Sequence, residues 1–286
     1  MIRKFLLGFF AIGLLQAVPA DELPDTIQVT SGDVEIELGA RVFWNLNGIR
    51  YQGKSVCQKG KGFYGTVLSF SGLGWVGTGH LENKIGETEI KCEFTVDGKP
   101  WAPAAEPVKC NRFEMKKSSL LYQVRVEYRL LVENNRIRED VKLTAEKDSK
   151  LGVVYHFMHP WEPMFTEYLL CNRDGQEDRD VFSDKNLRII MPFLKPDWAS
   201  FYAPAEQLGL LSVVRDTSNP PVPADEWLIW NRGRDRKLYY VAARKADWKA
   251  GHQASAGMIT AFFPATPENW QKQASEQASA LKGLWK

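Results

Sequence analysis

Two of the chain's four histidines fall in one seven-residue run, Tyr155-His156-Phe157-Met158-His159-Pro160-Trp161. Imidazole is the side chain most readily tuned to give or take a proton near neutral pH. A tryptophan beside it offers a flat face for the apolar side of a sugar ring. His156 and Tyr155 are therefore candidates for acid–base work, and His159 and Trp161 for holding a ligand. The competing reading is a strand histidine hydrogen-bonded in a core, with Trp161 as packing. In a straight strand, alternation places Val153, Tyr155 and Phe157 on one face and Val154, His156 and Met158 on the other. It also sends His156 and His159 to opposite sides. Pro160 disfavours helical backbone at His159, and a bend there would bring both rings to one rim. No third ligand accompanies the pair, so a zinc site is not indicated.

A glycine-rich run from Ser71 to Glu82 ends with a third histidine, His80. Its spacing matches neither a phosphate-binding loop nor a dinucleotide fingerprint, and no helix is signalled after it, so no cofactor is expected. The glycines instead suit a tight loop that lets backbone approach a ligand or another strand. His80, Glu82 and Trp75 together form a mix that would serve a sugar hydroxyl, against the plainer reading of a surface turn. Arg173 and Asp174, after Cys171, are further candidates for hydrogen bonds to ring hydroxyls.

Period-two patterns position these residues. From Leu120 to Val132, Tyr122, Val124, Val126, Tyr128, Leu130 and Val132 share one face, with Gln123, Arg125, Glu127 and Arg129 opposite. Asn134-Asn135 supplies a tight turn, because Asn tolerates left-handed backbone. Ile137, Val141 and Leu143 continue the apolar face, with Arg138, Asp140 and Lys142 opposite. Further strands are expected at 34–38, 41–46, 64–70, 88–96, 151–158, 187–191, 208–214, 227–231, 238–244 and 257–263. Proline-rich stretches at 100–107 and 216–225 read as irregular connections. Many antiparallel strands without a βαβ rhythm predict an all-β sandwich or barrel. At the end, Thr266 and Pro267 suit the start of a helix over 267–285. Trp270, Ala274, Ala278, Leu281 and Trp285 form its apolar stripe.

Residues 1–20 read as a signal peptide: Arg3 and Lys4, an apolar run of eleven residues from Phe5 to Leu15, then Val18 and Ala20 before a cut at Asp21. The run is too short to span a bilayer, which takes about 20 residues. The mature chain, 21–286, is then one exported domain, periplasmic or extracellular. Residues 1–20 carry two of the 37 basic residues and none of the 35 acidic ones, leaving a formal charge of zero. Nucleic acid is not the expected partner of such a chain. The four cysteines, Cys57, Cys92, Cys110 and Cys171, permit two disulfides in an oxidising compartment, with buried free thiols as the alternative.

A strand-rich exported chain with a His-aromatic pair, His156-Phe157, on a central strand resembles the galactose mutarotase-like superfamily, over about 30–265. The resemblance implies a large antiparallel β-supersandwich with a carbohydrate ligand in a cleft on a concave sheet. His80 stands loosely where the family's earlier histidine would. In that family a carboxylate takes the anomeric proton while a histidine protonates the ring oxygen. Glu226 and Asp247 are positional candidates for the carboxylate. The same fold resembles domains of polysaccharide lyases, for which Tyr155, His156 and an arginine would be the matching groups. Three functions follow as expectations: an epimerase- or lyase-like enzyme, a carbohydrate-binding protein, or a structural envelope protein.

Overall fold

The computed structural model describes residues 17–57, 64–79, 81, 84–190, 195–216 and 226–285. The chain opens with β1 (Val18–Pro19), β2 (Thr26–Ser31), β3 (Val34–Gly39), β4 (Asn45–Tyr51), β5 (Lys54–Cys57), β6 (Gly65–Phe70) and β7 (Gly74–Gly77). Then come β8 (Glu87–Val96), β9 (Lys99–Pro100), β10 (Val108–Cys110), β11 (Arg112–Leu121), β12 (Val124–Glu133) and β13 (Arg136–Ala145). The second half holds β14 (Ser149–Trp161), β15 (Glu167–Asn172), β16 (Glu177–Val181), β17 (Arg188–Ile190), β18 (Pro196–Ala203), β19 (Leu208–Asp216), β20 (Glu226–Arg232), β21 (Asp235–Trp248) and β22 (Gln253–Pro264). A single helix, α1 (Trp270–Lys282), follows them.

Among the described residues the strands form two eleven-stranded sheets. The first runs β1-β8-β11-β12-β13-β22-β19-β18-β15-β16, with β9 beside β8. The second runs β10-β2-β3-β4-β5-β14-β21-β20-β17, with β6 on β14 and β7 on β6. Pairing is antiparallel except where β10 lies parallel to β2. Alternation drives the layering. Ile27 and Val29, Val34 to Leu38, and Val124 to Val132 send one face inward, where the two sheets enclose the main core. The architecture is an all-β antiparallel supersandwich.

Asn134 and Asn135, at φ 51° and 58°, close the β12–β13 hairpin. The strands expected at 151–158, 238–244 and 257–263 run longer, as Ser149–Trp161, Asp235–Trp248 and Gln253–Pro264, and two others are cut by turns. The expected 120–132 strand is split by a turn at Tyr122, φ 59°, so Leu120 and Leu121 end β11 and β12 begins at Val124. Residues 40–42 are a 3-10 turn, and Phe43 and Trp44 take left-handed backbone while the Trp44 indole donates to the Pro24 carbonyl at 3.0 Å. The strand expected at 41–46 therefore starts at Asn45. The 217–225 connection lies outside the described residues.

The regular helix begins at Trp270, not 267. The Thr266 amide donates to the Asn269 side chain at 2.8 Å, making 266–269 a turn ahead of it. Trp270, Ala274, Ala278 and Leu281 pack on the outside of the first sheet against Leu211, Val213 and Ile259. Trp270 stacks on Tyr202 with centroids 5.3 Å apart.

The four cysteines are all free, correcting the disulfide expectation. They sit on four different strands, β5, β8, β10 and β15, and burial makes them poor nucleophiles. It pushes the Cys92 thiol up to about 12 and Cys171 up to about 11. No helix among the described residues is long and apolar enough to cross a membrane.

Candidate functional site

The central strand β14 carries the histidine run, and it is not straight. Its register against β21 shifts between Val154 and Tyr155 and again between Tyr155 and Phe157. A bulge places an extra residue on one strand and re-aims the side chains around it. Here Tyr155 and Met158 turn to the outer face of the second sheet, while Val154, Phe157 and Trp161 face the core. His156 joins the inner group, lining a small cavity and facing the Tyr240 ring at 6.1 Å. The bulges, and not a bend at Pro160, bring both histidines to one side.

That side is sealed. His156 and His159 are 1% and 0% exposed, and Trp161 is fully buried. His159 stacks on Tyr64 at 4.1 Å with rings 9° from parallel, and Trp161 meets both in edge contacts. The Tyr64 and Tyr128 hydroxyls donate to the Glu139 carboxylate at 2.6 and 2.8 Å. His159 Nε2 lies 3.1 Å from Glu139 Oε2, close but off the axis of an aligned hydrogen bond. Beside this group, Lys117 Nζ donates to Glu87 at 2.9 and 3.0 Å and to the Asn45 side-chain oxygen at 2.7 Å. Ser119 donates to the same Glu87 carboxylate at 2.7 Å. The cavity lined by Tyr64, Gly65, Thr66, Thr78, Tyr128, Glu139 and His156 measures about 10 Å³. That is room for about one water, not for a sugar. Within the glycine-rich run, Gly79 has φ 77°, and a Cβ there would meet the Tyr64 carbonyl at 3.0 Å. The close approach permitted there is of backbone to backbone.

The outer face of the same sheet is different. Trp75 on β7 stacks on Tyr155 on β14, with centroids 5.4 Å apart and planes 11° from parallel. Tyr155 lies 4.8 Å from Tyr239 on β21, and Tyr239 lies 6.4 Å from Trp230 on β20. Four rings thus cross the sheet in one run. Its ends are the open part: Trp75 is 36% and Trp230 38% exposed, against 9% for Tyr155 and 6% for Tyr239. Val67, Met158, Leu228 and Val241 floor the run. Glu226 accepts from the Arg244 guanidinium, with Nε at 3.0 Å. Burial pushes the Tyr155 phenol above its ordinary value, opposed by the positive charges of Arg244 and Arg188 and reinforced by Glu226.

The structure therefore separates the proposed site residues. Tyr155 and Trp75 meet on the outer face. His156, His159 and Trp161 share the interior. Arg173 and Asp174 stand in the turn after β15, on the first sheet, where Asp174 pairs with Lys195 at 3.6 Å. His80 and Glu82 lie outside the described residues. Among the described residues no group of histidine, cysteine and carboxylate side chains is arranged to hold a metal. Sequence reasoning missed Tyr239 and Arg244 and assigned Trp230 no role. The available signal was alternation: Glu226, Leu228, Trp230 and Arg232 share one face of β20, while Trp227 and Ile229 are buried on the other. Glu139 was also legible, as a carboxylate interrupting the apolar series Ile137, Val141, Leu143.

A supersandwich of two such sheets is the fold of galactose mutarotase-like proteins. A galactose mutarotase-like protein from Lactobacillus casei ATCC 334 superposes with a TM-score of 0.50 at 9% identity, covering 83% of this chain and 100% of that one. The galactosidase domain of an alpha-galactosidase-sucrose kinase, AgaSK, superposes with a TM-score of 0.50 at 6% identity, over 88% of this chain and 42% of that one. No family model matches the chain, and no curated protein matches its sequence.

Proposed function

We propose that this protein binds carbohydrate on the outer face of the second sheet, as an exported, non-catalytic binding protein. The observation that carries the reading is the run Trp75–Tyr155–Tyr239–Trp230, with its two open indole ends. Pyranose rings have apolar faces that stack on aromatic planes, and hydroxyls that need polar groups at the margin. Glu226, Arg244 and Arg188 supply those groups. The likeness of fold to a galactose mutarotase-like protein and a galactosidase domain supports a sugar as the ligand. Export rests on the basic start, apolar run and small residues of 1–20.

An epimerase- or lyase-like enzyme working through a histidine is the second reading. It needs an acid or base that reaches the sugar. His156 lines a space of about one water, and His159 has no exposed surface. Tyr155 is disfavoured as a phenolate by its burial, and Glu226 is engaged by Arg244. These facts favour binding over turnover.

A glycan array probed with the purified protein tests both readings. Retention of a defined set of glycans is expected, with Trp75→Ala and Trp230→Ala each weakening it by about 1–3 kcal/mol, by analogy with stacking on other flat ligands. Binding that survives the double variant would overturn the location. Conversion of any retained sugar, lost in His156→Ala without loss of melting temperature, would restore the enzyme.

A further inference from the structure

The charges around the aromatic run are not balanced. On the outer face of the second sheet, Arg188 stands directly across from Trp230 in the β17–β20 register. The Arg232 guanidinium lies 4.4 Å above the Trp230 ring, and Lys237 Nζ lies 5.9 Å from the Tyr239 ring. Arg244 makes a third cation on this face, while the Lys237 ammonium is buried and already partnered. Against them, among the described residues, stand two carboxylates, Glu226, already engaged by Arg244, and Asp235, which lies 3.3 Å from Arg234. On the outer face of the first sheet, by contrast, cations are paired across the strands. There Lys142 pairs with Glu127 at 2.9 Å, and Arg129 pairs with both Glu114 and Asp140. The formal charge of residues 21–286 is zero. Among the described residues the excess of cations beside the rings is therefore local, on the face where a stacked ligand would lie.

Resting on the carbohydrate reading above, we infer that the ligand is an anionic polysaccharide, in which a pyranose stacked on Trp230 carries an acidic group that Arg188 and Arg232 bind. A guanidinium presents two parallel N–H donors to a carboxylate or sulfate, and its planar surface stacks on an indole without losing them. Arg232 over Trp230 is already in that posture. A neutral glycan would leave these donors to water and gain nothing from the imbalance. An acidic one gains charge-assisted bonds at the margin of the stacked ring. The two anion sources share this chemistry, a uronate carboxylate or a sulfate ester, and differ in geometry and charge.

Affinity electrophoresis of the purified chain separates the outcomes. The probes are polygalacturonate and alginate as carboxylates, dextran sulfate as a sulfate, dextran and xylan as neutral glycans, and poly-glutamate as an acidic polymer without sugar. At least one acidic glycan is expected to bind about tenfold or more tighter than the neutral ones, an advantage of one decade in Kd. That advantage should shrink as NaCl rises from about 0.05 to about 0.5 M, as screening requires. Arg188→Gln with Arg232→Gln should erase the advantage of the acidic glycans, while Lys142→Gln on the opposite sheet should change nothing. Which acidic glycan leads decides between carboxylate and sulfate. Equal, salt-insensitive retention of neutral and acidic glycans overturns this inference and leaves the carbohydrate reading standing. Retention of no glycan overturns both. Poly-glutamate bound as well as the acidic glycans, or an advantage that survives the double variant, also overturns the inference.

Discussion

Trp161 and Trp75 illustrate how one residue type serves two ends. Trp161 has no exposed surface and packs against Tyr64, His159 and Phe262. Trp161→Ala should therefore cost about 3–5 kcal/mol, because a large ring leaves a cavity that a sandwich core cannot fully close. Glycan affinity of the surviving folded fraction should be unchanged. Trp75→Ala should do the reverse, keeping a near-native melting temperature and losing affinity. Thermal melts and binding isotherms on the same two proteins check the pair; equal melting losses would refute this assignment of roles. The histidine run was legible in the sequence as something unusual, but not its direction. Alternation assumes a straight strand, and two register shifts in three residues reverse that assumption for His156. The partners of His159 were illegible for a second reason. Tyr64 precedes β6, Tyr128 lies on β12 and Glu139 on β13, and only sheet stacking brings them together.

The strands themselves were the most legible elements. The β12–β13 hairpin follows from two-residue alternation and an Asn-Asn turn, and it closes in the expected register, Val126 against Leu143 and Val132 against Ile137. Val126 is 1% exposed, whereas Arg125 points outward and bridges Glu89 and Glu146, both at 2.8 Å. Val126→Asp should cost several kcal/mol, since the carboxylate would have no partner between the sheets. Arg125→Leu should stay within about 1 kcal/mol, the usual worth of exposed ion pairs. Urea denaturation of both variants reads the difference, and similar midpoints would mean the register is misassigned. Boundaries were less legible than faces. Nothing in the composition of Tyr122-Gln123 announces a turn, since neither is a usual turn residue. The chain turns there because β11 and β12 must both keep their apolar faces on one core.

At the scale of the whole molecule, the interior between the sheets is apolar at its margins and polar in one central region, where carboxylates and phenols meet. This arrangement sets the alkaline limit of stability. Burial first, and then the charge of Glu139, push the Tyr64 and Tyr128 phenols well above the ordinary value near 10. Burial, followed by Asp178 and Asp180, likewise raises Tyr168. In the unfolded chain the same phenols lose their protons at about pH 10. The folded values are the higher ones, so the folded state holds these protons after the unfolded state has released them. Their contribution to stability is complete below about pH 10 and falls as pH rises above it. Melting temperature should thus decline steeply beyond pH 10. Near-ultraviolet absorbance should show the buried phenols ionising together with the loss of circular dichroism, not before it. Reversible ionisation of all nine tyrosines near pH 10 with the sheet signal intact would show that the Tyr64–Glu139–Tyr128 group is open to solvent. A histidine beside it would then be within reach of a ligand after all, and the balance between binding and catalysis would have to be redrawn.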